Sequence, residues 1–165
     1  MSRSDAAGAR GSAPGETTIE FLTAGVELTD LLSEVVRRRG GLTVAQYRTL
    51  AALRGARMRE PWELARAVQV SSPHMTSVLD QLMRLGLVER RVDPADRRRR
   101  QVALTEAGRR RLRALSPHVV ALEARILEIA FTESERTVLA ELVHRLRAGI
   151  AELVVADATG ARTVP

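Results

Sequence analysis

The 165 residues predict a mainly helical chain interrupted by one short β-hairpin, and three observations predict it. Aromatic residues make up only 2% of a chain that is 45% apolar, so the core must be built from Leu, Val, Ile and Ala, a mix that favours helices over sheets. Apolar residues recur at spacings of three and four in successive stretches, as on helices with one buried face. One stretch breaks that rhythm: two short runs, Leu87–Val92 and Gln101–Leu104, flank a polar, proline-containing segment, Asp93–Arg100, and read as two strands joined by a loop.

Taken in order, Met1–Gly15 is small and polar, so residues 1–16 are expected to be a disordered tail. Thr17-Thr18-Ile19-Glu20 matches a capping box, opening a first helix with Ile19, Leu22, Val26, Leu32 and Val36 on one face and Gly40-Gly41 as its stop. Thr43–Gln46 is a second capping box, leading a short helix through Leu50 and Leu53. Arg57–Pro61 reads as a loop, and Pro61 begins a third helix through Leu64, Ala65 and Val68. A fourth helix is capped by Ser71 or Ser72, tolerates Pro73 in its first turn, buries Met75, Val78, Leu79 and Leu82, and ends at Gly86. After the hairpin, Thr105 caps a long fifth helix whose Leu112, Leu115, Val119, Leu122, Ile126 and Ile129 repeat 3-4-3-4-3, the spacing of a coiled-coil seam. Pro117 within it is expected to kink it. Thr132–Glu135 is a further capping box, for a sixth helix carrying Leu139, Leu142, Leu146, Ile150 and Leu153. Residues 157–165 are expected to fray. The first and last helices carry more apolar surface than a thin central lobe covers, so a second copy of the chain is implied.

Charge is concentrated. All 26 basic residues are Arg, against 20 acidic ones. Between Arg84 and Arg113 eleven Arg face only Glu89, Asp93, Asp96 and Glu106, so the entire net excess of +6 resides there. Such a local excess suits a polyanion.

The third and fourth helices, about Trp62 to Leu85, form a helix–turn–helix. The second of them opens with Ser71, Ser72, Pro73, His74, Thr76 and Ser77, small or polar groups that let a helix enter the major groove and exchange hydrogen bonds with base edges. Arg91, Arg97, Arg98, Arg99 and Arg100 on the hairpin form a basic wing, with Arg98 the candidate for the minor groove. Asp93 and Asp96 are expected to hold Arg side chains across the turn. The predicted fold is therefore a winged helix–turn–helix in the order α-α-α-α-β-β-α-α.

These residues also carry a resemblance. Leu42-Thr43-Val44-Ala45-Gln46-Tyr47-Arg48-Thr49-Leu50, Leu64-Ala65 and Val70-Ser71 resemble stretches of MarR-type regulators, the multiple antibiotic resistance regulator family. The strongest match runs from Leu82 to Gly108: Gly-Leu-Val-Glu-Arg, an Asp-Pro-x-Asp-Arg-Arg wing, then Leu-Thr-x-x-Gly. The resemblance covers residues 17–156. It implies a homodimeric DNA-binding lobe (residues 42–108) with dimerisation helices (17–39 and 109–156). It also implies a repressor on a pseudo-palindromic operator, released by a small, often aromatic ligand held between the lobes. Phe21, Tyr47 and Trp62 are the candidate pocket residues, although packing in the core is the commoner use of such side chains. A cytoplasmic, nucleoid-associated bacterial protein follows. The chain departs from the family at Gln69, where many members have Gly, at Ser77, where a basic residue is common, at His74, and in the added Arg99 and Arg100. Gln69 is therefore expected to adopt a left-handed conformation. A nonspecific architectural DNA binder is the alternative reading.

Other classes find no support. With no Cys, disulfides, thiolate metal sites and thiol sensing are excluded. His74, His118 and His144 suit surface or packing roles better than metal ligation. No catalytic constellation, cofactor motif or membrane-spanning run is expected.

Overall fold

Proline is tolerated in the first turn of a helix, where its missing N–H would find no partner. Helix α1 (Pro14–Gly40) begins there, with Glu16 placed favourably against the helix dipole. The Thr17 capping box consequently lies inside the helix, and residues 14–16 are helical rather than part of a tail. The computed structural model describes residues 14–55, 59–92 and 100–158. The elements that follow are α2 (Val44–Leu53), α3 (Pro61–Val68), α4 (Ser72–Arg84), β1 (Val88–Val92), β2 (Arg100–Leu104), α5 (Glu106–Ala130) and α6 (Glu133–Ala158). The predicted order holds, and α6 continues two residues into the segment expected to fray.

The caps follow from side-chain chemistry. The Thr43 hydroxyl accepts from Gln46 N at 3.2 Å while Gln46 Oε1 accepts from Thr43 N at 2.9 Å. Thr132 and Glu135 repeat the exchange at the start of α6. Helix α3 ends in a Schellman motif, with Gln69 N bonded to Arg66 O at 3.3 Å and Val70 N to Ala65 O at 3.0 Å. That geometry demands a left-handed residue, and Gln69 adopts φ 59° as expected.

Two compact units divide the chain between Val119 and Val120. In the first, the apolar faces of α2, α3 and α4 close on Val36 of α1 and on the hairpin, burying Leu50, Leu53, Leu64, Val68, Leu79 and Leu82. Strands β1 and β2 pair antiparallel, with Val88 opposite Leu104 and Val92 opposite Arg100. The predicted loop before α3 adds a third, one-residue strand: Arg59 exchanges two backbone hydrogen bonds with Val102, at 2.8 and 3.0 Å.

The fifth-helix seam is not continuous. Leu112 and Leu115 are buried in the first unit's own core, so they are not positions left for a partner. In the second unit Leu122 and Ile126 are half-buried, and Ile129 is 76% exposed. On α6, Leu142, Leu146, Ile150 and Leu153 are exposed. So are Ile19, Leu22 and Val26 on α1 of the first unit.

Candidate nucleic-acid interface

The 3.6-residue period of α4 sorts its side chains into two faces. Met75, Val78, Leu79 and Leu82 are buried, so Ser72, His74, Thr76 and Ser77 are driven to the opposite, exposed face together with Pro73. Ser71 is the N-cap, its hydroxyl accepting from His74 N at 3.4 Å. The first-turn donors are largely used: Pro73 has none, His74 is capped, and Met75 N bonds Ser71 O at 2.9 Å. The helix start is therefore poorly equipped to hold a phosphate through its backbone. What it offers instead is side-chain chemistry on a narrow, small-residue tip.

The hairpin is fastened to the start of α5 by one threonine. Thr105 Oγ1 donates to Gly86 O at 2.7 Å and accepts from Gly108 N at 3.0 Å, while Thr105 N bonds Leu87 O at 3.1 Å. These bonds give the Leu-Thr-x-x-Gly run its physical content: it clamps the wing's base to the end of α4. Arg90 of β1 lies 3.5 Å from Asp80 of α4, a second link between wing and helix–turn–helix. Both groups are well exposed, and such pairs contribute at most about 1 kcal/mol.

Of the predicted wing residues, Arg91 is exposed on β1 and pairs with Glu89 at 2.5 Å. Arg100 occupies the first position of β2. Arg97, Arg98, Arg99, Asp93 and Asp96 lie outside the described residues. Arg109 and Arg113 are engaged by Glu106, whose carboxyl is held below its usual range by their hydrogen bonds, Arg109's being the larger effect.

The candidate pocket residues sit on three separate helices. Phe21 lines a shallow depression of about 350 Å³ formed by α1 residues alone, Tyr47 is half-buried against the core, and Trp62 is 53% exposed with its indole donating to Glu60 at 2.8 Å. His74, His118 and His144 are all exposed. Among the described residues no three His, Asp or Glu converge as metal ligands, and no helix is long and apolar enough to cross a membrane.

Residues missed at the sequence level include Gln46 and Gln81. Gln46 is 5% exposed and its Nε2 donates to Gln81 Oε1 at 2.8 Å, joining α2 to α4. The only signal for it was Gln46's place in the capping box.

A helix–turn–helix with an exposed polar second helix, followed by a basic hairpin clamped at its base, defines a winged-helix DNA-binding protein. A model of the MarR family matches residues 40–99. The transcriptional regulator PA4135 is 32% identical, covering 79% of this chain and 95% of its own, with a TM-score of 0.71. The chain belongs to the MarR family of transcriptional regulators. The transcriptional repressor CouR, solved bound to a 23-mer DNA duplex, is 26% identical over 78% of this chain and 89% of its own, with a TM-score of 0.70. BpsR of Bordetella bronchiseptica, whose DNA binding is regulated by 6-hydroxynicotinic acid, is 21% identical over 80% of this chain and 98% of its own, with a TM-score of 0.71. At that identity BpsR attests the fold alone.

Proposed function

We propose that the chain is a homodimeric, cytoplasmic repressor that binds a pseudo-palindromic operator through Ser71, Ser72, Pro73, His74, Thr76 and Ser77 at the start of α4 and the Arg wing, and that a small organic effector releases it. The observation that carries this reading is the sorting of α4: Met75, Val78, Leu79 and Leu82 are buried while Ser72, His74, Thr76 and Ser77 are exposed, directly before a basic hairpin. The open apolar faces of α1 and α6 support a second copy, because large uncovered apolar patches mark association surfaces. The effector class to test first is a small aromatic compound, with Phe21, Tyr47 and Trp62 as its candidate contacts. Residues 42–108 are the proposed DNA-binding lobe.

Selection of duplexes from a random pool tests the operator reading. Two inverted half-sites about one helical turn apart are expected, and an effector should lower affinity for them. A single unpaired half-site, or release by no small aromatic compound, contradicts the corresponding part. The extra Arg99 and Arg100 favour a second reading, an architectural binder, which equal binding to every duplex would support.

A further inference from the structure

Ser77 stands at a position where the hydrogen-bonding sense of its hydroxyl is settled by a chain of groups that begins on another helix. The backbone N–H of Thr43 can only donate, and it bonds Gln46 Oε1 at 2.9 Å. A glutamine amide has one accepting end and one donating end. Gln46 must therefore present Nε2 to its second partner, and it bonds Gln81 Oε1 at 2.8 Å. Gln81 in turn presents Nε2 to Ser77 Oγ, at 3.3 Å. The direction imposed by one backbone group in the cap of α2 thus passes through two side chains to the recognition face of α4. Gln46 is buried and Gln81 half-buried, so the first links of the relay are part-buried while the last, to Ser77, is exposed.

The consequence is chemical. A serine hydroxyl has one proton and two lone pairs. Gln81 fills a lone pair, so the proton is not shared with Gln81 and remains to be donated outward. The neighbouring Thr76 differs: its Oγ1 donates to Ser72 O at 3.1 Å, which uses its proton and leaves an acceptor and a methyl group.

We propose that Gln46 and Gln81 are positioning residues that make Ser77 a hydrogen-bond donor to the operator, so that it selects a base edge offering an acceptor. In the major groove guanine offers N7 and O6, thymine O4 and adenine N7, whereas cytosine offers only its N4 amino group. Ser77 therefore excludes cytosine at the position it contacts. This rests on the sequence-specific reading given above and adds to it which chemistry one residue reads and what sets it.

The test is duplex selection with the full chain and two variants, followed by affinities for duplexes differing at the identified position. Ser77→Ala should flatten the preference at one position per half-site and leave the rest of the motif intact. Gln81→Glu is close in shape, but its carboxylate only accepts. The Ser77 proton then turns to Glu, its lone pairs face the groove, and cytosine should become accepted where it was excluded. The guanine-to-cytosine affinity ratio should move by about 2- to 10-fold in each case, the worth of one hydrogen bond. A motif unmoved by both variants, with affinity falling alike on every duplex, overturns the relay and leaves the regulator reading standing. Absence of any motif with the unsubstituted chain overturns the sequence-specific reading, and the relay with it.

Discussion

A Cβ built on Gly108 would lie 2.0 Å from Leu87 O, a backbone atom that cannot swing aside. Glycine is required there because the Thr105 clamp draws the start of α5 onto the end of α4, and the clamp is what seats the wing. Gly108→Ala is expected to destabilise the fold by about 2–3 kcal/mol, as overpacking does, and urea unfolding with far-UV detection measures it. A change below about 0.5 kcal/mol would show that α5 can shift without cost. Gln69 illustrates the opposite tolerance. A non-glycine residue in the left-handed region costs about 1–2 kcal/mol, yet glycine loses about 0.5–1 kcal/mol more conformational entropy on folding. Gln69→Gly should therefore raise stability only slightly, by about 0.5 kcal/mol, in the same unfolding measurement. A loss of stability would contradict the strain assigned to φ 59°.

The elements show how far the pattern of residues reaches. The division of α4 into buried and exposed sets was legible because both sets obey the helical period, and the cap at Thr43 because a capping box is a local motif. The start of α1 at Pro14 was not, since a capping-box pattern at Thr17 competes with a proline that can occupy the first turn. The bridge between Arg59 and Val102 involves one residue on one side, and one residue has no period. The Gln46–Gln81 bond joins polar side chains 35 residues apart, which no local pattern records. Spacing along α5 gave the apolar face but not what covers it, so Leu112 and Leu115 read like Ile129 although only the first two are buried. The cap of α6 allows a prediction in pH. Glu135 accepts from Thr132 N, which lowers its pKa. A lowered folded-state pKa means the contribution is complete above the usual carboxylate value and is lost as pH falls through the depressed one. The Thr132 amide resonance should therefore titrate with a midpoint below about 4.3, the ordinary glutamate value, and Glu135→Gln should abolish that titration. A midpoint at or above the ordinary value would contradict the cap.

For the whole molecule, apolar surface and charge carry separate consequences. Leu142, Leu146, Ile150 and Leu153 remain exposed on α6, and leaving them in water forfeits roughly 1.5–3 kcal/mol for each side chain that a partner could cover. Sedimentation velocity at micromolar concentration should give a dimer mass, and Leu146→Glu should shift it toward monomer. A monomeric unsubstituted chain would contradict the second copy. In the proposed function charge supplies affinity: the Arg run from Arg97 to Arg100 is expected to give DNA binding its salt dependence, and α4 the choice of sequence. The most direct measurement of that division is the affinity for a selected duplex against a scrambled one of equal length, across a range of salt. Binding to the selected duplex should be at least about 10³-fold tighter at physiological salt, with both affinities falling steeply as salt rises. Equal affinity for the two duplexes at every salt concentration would contradict a sequence-specific regulator.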